Sequence, residues 1–489
     1  MVGLPLSHAA GAREAAGGAG PPAEMIPRSL TGDWMRPALV ACLAVTLVAL
    51  VYAVVFPNLW YGEHDVSDIV IYQGYAQAMA SGQQPYRDFE FEYPPMAAWL
   101  MALPGHSQSY ADYTTWFSLV MFVLTAITAV AVALAAVRVW PTGWRPYAAA
   151  VLFAVAVAAV GAIVENRFDI AVALAITLAV LFLARKQVVL AAAVIGFGFA
   201  LKLTPAVFLP LALLLAPTIR RAAVAAGVFA LTALAPFIPY LVMSPGGIWH
   251  IFAYHMQRPV QLESVIATPF LLGRAFGLIW VDVVTSYGSQ GIVARGSTTA
   301  ATASTLLTVA AVVAVYALLL RRRRLLFSSP RALPLAALAI VLAMMTFSKV
   351  LSPQYFIWLL PVVALAVLEE PLLGALCFVT LLLTQINFPA KYWGLVYLDP
   401  SSIKWLAARN VALVACFLFA LWRLIRLPAG EVAGSPAAAW RPAGGVRILP
   451  PDGSRGGGNL NGERSDGRSA GLRIDQEAPQ RKDGGRRPQ

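Results

Sequence analysis

Asp65, Asp68, Asp88, Glu90 and Glu92 crowd into residues 65–95 of a 489-residue chain in which only 12% of residues are charged. A carboxylate in such a place either solvates a loop or does chemistry, by taking the proton of a nucleophilic hydroxyl or by binding hydroxyl groups. Asp68 opens the run Asp68-Ile69-Val70-Ile71-Tyr72. The apolar spacing there suits a helix lying in a membrane interface, with Ser67 or Asp65 as its cap. Asp68 therefore reads either as a helix-start residue favoured by the helix dipole or as a catalytic or ligand-binding carboxylate. Residues Tyr86 to Tyr93 then alternate aromatic and charged side chains before the rigid pair Pro94-Pro95. Ring faces beside Arg87, Asp88, Glu90 and Glu92 suit a sugar-binding surface; an interfacial aromatic belt is the plainer reading.

A second set of residues is cationic. Arg167 lies in Glu165-Asn166-Arg167-Phe168-Asp169 between two apolar segments, where a self-paired turn is the bland alternative. Lys202 sits between two short apolar segments and either snorkels to the surface or meets an anion. His255 and Arg258 belong to WHIFAYHMQRPVQLES, and Lys349 to Ser348-Lys349 ahead of Ser352-Pro353-Gln354-Tyr355. Together they suit a phosphate. His250 and His255 stand five residues apart and share no helical face, so no metal site is expected.

The elements that must position these residues are membrane spans. The chain is 59% hydrophobic with mean hydropathy +0.70, and its apolar residues come in runs near twenty long. That is an all-α polytopic membrane protein. Twelve spans are expected at about 36–56, 109–137, 144–164, 168–184, 188–201, 205–218, 222–243, 302–320, 332–348, 353–369, 371–387 and 405–424. The pair 188–201 and 205–218 is short and should form two broken helices meeting at Pro205. The arginines alternate onto one side only if 265–281 is re-entrant or interfacial instead of a span. By the positive-inside rule that side is the cytoplasm, with both termini there and the unusual polar residues outside. A net charge of +12 is thus a matter of topology, and no nucleic-acid partner is expected. Cys42, Cys377 and Cys416 fall in apolar runs without CxxC spacing, which argues against a disulfide or zinc framework. Residues 1–33 read as a disordered arm, 34–426 as the transmembrane domain and 427–489 as a disordered cytoplasmic tail.

Four short motifs carry a family resemblance. They are Asp68 to Tyr72; Gly82 to Pro95, with Tyr86 and Tyr93-Pro94-Pro95; Lys202 to Pro205; and Ser348-Lys349 with Ser352 to Tyr355. Over roughly 35–425 the chain resembles the polyprenyl-phosphate-sugar-dependent glycosyltransferases of the GT-C superfold. Within that group it is similar to glycosyltransferase family 87, which includes the mannosyltransferases of phosphatidylinositol mannoside synthesis. The loop WHIFAYHMQRPVQLES departs from the mannoside enzymes and points to a different subgroup.

The resemblance implies a GT-C-like fold with interfacial helices in the first outer loop. It implies an inverting transferase with Asp68 as general base and Lys202, Lys349, Arg258, His255 and Arg167 around the donor phosphate. Tyr72, Arg87, Asp88, Glu90, Glu92, Tyr93 and Gln354 would meet the acceptor or the sugar. The implied partners are a polyprenyl-phosphate-linked sugar, with mannose as the default, a glycolipid or glycan acceptor, and membrane lipid; no cofactor is implied. The Ala-, Arg- and Gly-heavy composition suits a bacterial plasma membrane with the site facing the periplasm. A transporter or lipid-sugar flippase is the competing reading of twelve spans with broken helices.

Overall fold

The computed structural model describes residues 34–59, 67–105 and 109–427. The N-terminal arm, Asp65 and all but the first residue of the C-terminal tail lie outside the described residues. Helices occupy all twelve expected apolar segments. Seven are long and apolar enough to cross a membrane by length and composition: Met35–Asn58, Tyr110–Val139, Ile219–Met243, Ser297–Arg321, Pro330–Phe347, Pro371–Ala390 and Pro400–Arg426. The other five positions hold the shorter apolar helices Arg145–Val160, Asp169–Ala184, Val188–Leu201, Thr204–Leu214 and Pro353–Ala366. The protein is a multi-pass, almost wholly helical membrane protein.

Which helices form the middle follows from their composition. Asp169–Ala184, Leu333–Phe347 and Leu359–Ala366 are apolar around their whole circumference and are buried along nearly their full length. Ile219–Leu234 and Ser297–Arg321 bury only a few residues and turn most of their apolar surface outward. Asp169–Ala184 and Val188–Leu201, with 16 and 14 residues, reach only ~24 and ~21 Å at 1.5 Å per residue. A hydrocarbon core is ~30 Å thick. The chain leaves helical geometry beside them, at Arg167 (φ −138°, ψ 138°) and at Lys202 (φ −156°, ψ 135°). Such irregular backbone at membrane depth is tolerated where it lines a polar cavity.

The two ends of the bundle differ. At one end, Arg36 Nη2 donates to Gly143 O of an interhelical loop (2.5 Å), and arginines close two helix C-termini, Arg322 donating to Ile425 O (2.7 Å) and Arg323 Nε to Leu214 O (2.7 Å). Glu369 accepts from Trp140 Nε1 at 2.7 Å, and Glu370 pairs with Arg423 at 2.6 Å. The carbonyl ends of helices carry partial negative charge, so these cations satisfy them.

The opposite end holds the short irregular elements. The segment expected to be re-entrant divides into a short helix, Thr268–Ala275, and the start of a β-hairpin that the sequence reading did not anticipate. Strand β1 (Val281–Ser286) pairs antiparallel with β2 (Ser289–Ala294). Tyr287 and Gly288 make the turn, both with positive φ (50° and 60°), the geometry of a tight two-residue hairpin. Residues 260–262 add to the outer edge of β2, where Leu262 N donates to Gln290 O and Ile292 N to Val260 O, both at 2.9 Å. Val260, Leu262, Leu271, Val281 and Ile292 form a small apolar cluster with Leu395, Ile403 and Leu406, which seats the hairpin on helix Pro400–Arg426.

Close helix packing makes one position intolerant of volume. A Cβ at Gly196 would lie 2.1 Å from Thr232 Oγ1 and 2.6 Å from Phe229 O of the neighbouring helix. Gly196→Leu should therefore cost about 1–3 kcal/mol or more and lower the thermal unfolding midpoint in detergent. Gly227→Leu, at a position where a Cβ meets nothing within 4 Å, should leave it near wild type.

Candidate active site

The helix that starts at Ile69 is capped by its neighbour. Ser67 Oγ accepts from Ile69 N at 3.1 Å, and the Asp68 side chain makes no capping hydrogen bond. Of the two caps expected, Ser67 takes the role, and Asp65 lies outside the described residues. The Asp68 carboxylate turns instead to Arg167, with Oδ2 3.0 Å from Nε. Arg167 is 4% exposed, and its guanidinium lies 5.7 Å from the Phe388 ring centre. Burial opposes its charge, and the adjacent Asp68 carboxylate raises its pKa overall.

Lys202 is held in the same way. Its ammonium lies 2.7 Å from Asp169 Oδ1, which also accepts from Trp358 Nε1 at 2.8 Å. The rings of Phe168, Tyr355 and Trp358 surround it at 4.9–5.3 Å, an aromatic cage that holds a cation without neutralising it. Lys202 does not snorkel to the surface. Arg258 Nη2 donates to Ser289 Oγ of the hairpin at 2.6 Å, and its guanidinium stands 5.4 Å from the Tyr254 ring. His255 is driven down to about 4 by burial and by Arg258, Lys202 and Lys349, so at neutral pH it is an uncharged hydrogen-bonding group.

These side chains line one chamber of about 100 Å³, together with Asp68, Glu92, Tyr93, Gln261, Glu263, Gln354 and Tyr392. Two larger spaces share its lining. Through Lys202, His255 and Tyr355 it adjoins a groove of about 290 Å³, whose wall is Thr305, Thr308 and Val309 on one helix and Met344 and Met345 on another. Through Ile71, Glu92 and Tyr254 it adjoins a lobe of about 610 Å³ that carries Glu90, Tyr75, Phe91, His250 and Tyr287. One neighbour is apolar with cations at its head, and the other is aromatic and acidic.

The structure thus brings Asp68, Arg167, Lys202, His255, Arg258, Glu92, Tyr93 and Gln354 into one chamber. Glu90 belongs to the acidic lobe. Four expected site residues are placed elsewhere. Lys349 donates to Met256 O at 2.7 Å and borders the apolar groove and a neighbouring cleft, and burial and Arg258 lower its pKa. Arg87 and Asp88 pair with each other at 2.8 Å on the surface, because neighbouring opposite charges satisfy each other before any ligand arrives. Tyr72 is fully buried behind the chamber against Tyr93, Phe117 and Phe168. The expected aromatic wall is largely internal too, with Tyr86 and Phe91 buried in ring contact with each other and Tyr75 against Phe91.

Gln261, Glu263 and Asp169 do not stand out in the sequence as site residues. Each carries a polar side chain at most 5% exposed, a signal that needs the fold before it can be seen. Among the described residues, no three His, Cys, Asp or Glu side chains cluster as metal ligands.

A model of glycosyltransferase family 87 matches residues 91–353, slightly more than half of the chain. No curated protein matches the sequence. Among solved structures, the crystal structure of ArnT from Cupriavidus metallidurans bound to undecaprenyl phosphate is similar at 14% identity, with 78% of this chain and 76% of that chain covered and a TM-score of 0.41.

The depressed His255 sets a pH dependence. Its folded pKa lies below the unfolded value, so the stability it contributes is present above about 6.5 and is lost as pH falls toward about 4. Between pH 7 and 4, the unfolding midpoint of His255→Gln should gain steadily on that of wild type; a constant offset would show that His255 is not held neutral.

Proposed function

We propose that this chain, which belongs to glycosyltransferase family 87, moves a sugar from a polyprenyl-phosphate carrier to a hydroxyl of a glycolipid or glycan, with inversion and with Asp68 as general base. The observation that carries the reading is the position of Asp68 in a chamber between two unlike spaces. A groove of methionine, valine and threonine headed by Lys202, His255 and Lys349 suits a lipid chain ending in a phosphate. The lobe with Glu90, Glu92 and four aromatic rings suits a hydroxylated acceptor arriving from water.

In this mechanism the acceptor oxygen attacks the anomeric carbon as the bond from that carbon to the phosphate oxygen breaks. The bonding pair leaves with the polyprenyl phosphate, and the hydroxyl proton passes to Asp68. Arg167 aims the carboxylate. Lys202 and Arg258 stabilise the charge that grows on the leaving phosphate, in a site where fixed charges need no reorganisation. Neutral His255 donates or accepts a hydrogen bond there. Glu92 and Tyr93 stand on the acceptor side, and Gln354 lies beside the cationic face. The arginine-rich end of the bundle faces the cytoplasm by the positive-inside rule, which directs Asp68 to the periplasmic face of a bacterial plasma membrane. Mannose is the sugar to try first, on the family resemblance. The family match begins at residue 91, beyond Asp68, so the assignment of the base rests on the Asp68–Tyr72 motif and the geometry.

The test is transfer of radiolabel from polyprenyl-phosphate-mannose to a membrane glycolipid extract by purified wild type and Asp68→Asn. Removing the base should reduce kcat by roughly 10²–10⁴-fold; because the substitution also takes the carboxylate from buried Arg167, the unfolding midpoint is measured alongside, and the rate is read on folded protein only. Equal rates would remove Asp68 from the mechanism and keep the transferase. If wild type transferred neither mannose nor glucose nor arabinofuranose from polyprenyl phosphate, the donor class itself would be wrong.

A further inference from the structure

Beyond its pairing with β2, the segment 260–264 turns at Gln261–Ser264, where Ser264 N donates to Gln261 O at 3.0 Å, and its backbone is pinned on every side. Gln261 N donates to Lys349 O at 2.9 Å, and Ser264 Oγ donates to Gln261 O at 2.8 Å. Arg409 Nη2 donates to Glu263 O at 2.5 Å, and Asn410 Nδ2 reaches Glu263 O, Ser264 O and Thr268 Oγ1 at 2.8–3.3 Å. Across this turn the two side chains meet, Gln261 Nε2 lying 3.2 Å from Glu263 Oε2. Gln261 and Glu263 therefore present their side chains together, and both border the chamber that holds Asp68.

Both side chains are more than nine-tenths buried, yet Gln261 is incompletely satisfied. Gln261 Nε2 donates to Glu263 Oε2 at 3.2 Å, while Gln261 Oε1 has no hydrogen-bond partner. A buried acceptor without a donor costs about 1–3 kcal/mol, and a rigid backbone cannot move it to water. Glu263 itself is pushed up to about 7 by burial, against the opposing charges of Arg409 and Arg167 and the Gln261 hydrogen bond. Near neutral pH it can thus donate a hydrogen bond as well as accept one. Tyr392 and Phe388 line the chamber with them, and Arg167, under the Phe388 ring, pairs with Asp68.

We infer that Gln261 and Glu263 form a recognition floor for ring hydroxyls of the transferred sugar, so that this pair decides which sugar the enzyme accepts. The inference rests on the donor class assigned under Proposed function. A hydroxyl fits where an ammonium does not, because it donates to Gln261 Oε1 and exchanges a hydrogen bond with Glu263 without adding charge beside Arg167 and Arg409. A site built to bond a hydroxyl rejects an analogue that lacks or misplaces it, since its own buried groups are then left unpaired.

Binding is the readout that separates this inference from the transfer chemistry. Affinity for polyprenyl phosphate alone and for polyprenyl-phosphate-mannose, -glucose and -arabinofuranose would be measured on wild type, Gln261→Ala and Glu263→Gln in detergent, with unfolding midpoints as the folding control. Wild type should bind one sugar-bearing lipid about 10-fold or more tighter than the others. Each variant should lose most of that margin while its affinity for bare polyprenyl phosphate stays within about 2-fold. In turnover, the variants should raise KM for the preferred donor and compress the preference among donors, whereas Asp68→Asn should lower kcat for all of them. A variant margin equal to wild type, an equal loss for every lipid including bare polyprenyl phosphate, or no margin in wild type would overturn the inference. A margin that depends on the pair in a protein that transfers nothing would keep the floor and overturn the transferase mechanism.

Discussion

A guanidinium that is 4% exposed at the end of an apolar bundle has to be neutralised where it stands, and neutralising Arg167 is what fixes the rest of the site. An isolated buried charge costs several kcal/mol, and a paired one is held in a single geometry. Arg167 takes Asp68 as its partner, which turns a residue at a helix start into a carboxylate on a chamber wall. Two further buried cations are held close by, one by a carboxylate and one by a hydrogen bond to a carbonyl. Asp169 holds Lys202, and the carbonyl of Glu263 holds Arg409. Each couple joins elements distant in sequence, so the charges also act as clamps among helices that apolar packing alone would allow to slide.

The bundle gathers its irregular backbone at the same end. Arg167 and Lys202 both lie in extended geometry where short helices stop, so the residues that carry charge are also the ones whose amides and carbonyls need a polar environment. At the other end, arginines close helix carbonyl termini. One end is thus built to be finished and the other to be left open. The twelve-span periodicity made this division legible in the sequence, because arginines at alternate loops separate cleanly from the other polar residues.

What the sequence left hidden follows from distance along the chain and from mixed periodicity. Asp68, Arg167, Lys202, His255 and Arg258 stand out because charge is rare in apolar surroundings, and they meet in one chamber. Arg87 and Asp88 stand out for the same reason but satisfy each other, an outcome that adjacency in sequence could have flagged. Gln261 and Glu263 were lost among the many polar residues of a loop, since only the fold shows that the loop is buried. The β-hairpin was obscured because the apolar residues before Val281 carry a helical, membrane-like run straight into a strand. Its own signs were present: the β-branched Val281 to Thr285, the Tyr287-Gly288 turn, and the Ile292-Val293 pair. The hairpin matters to the site because its tip supplies Ser289, which orients Arg258.

The arrangement of charges also bears on how the proposed reaction can run both to completion and to release. A lipid-linked sugar phosphate carries one negative charge, and Asp68 carries another. After transfer the carboxyl is protonated, and the released phosphate can carry a second charge. The total is conserved, and charge has moved from the Arg167 side of the chamber to the side of Lys202 and Arg258. Lys202 keeps Asp169 as a standing partner, so it attracts the phosphate without offering an unpaired buried cation. That tempers binding of the product, which would otherwise be held more tightly than the donor because of its extra charge. In the proposed reaction a caged, half-neutralised lysine is therefore better suited to turnover than a free one, with the rings of Phe168, Tyr355 and Trp358 and the Asp169 carboxylate holding it in place.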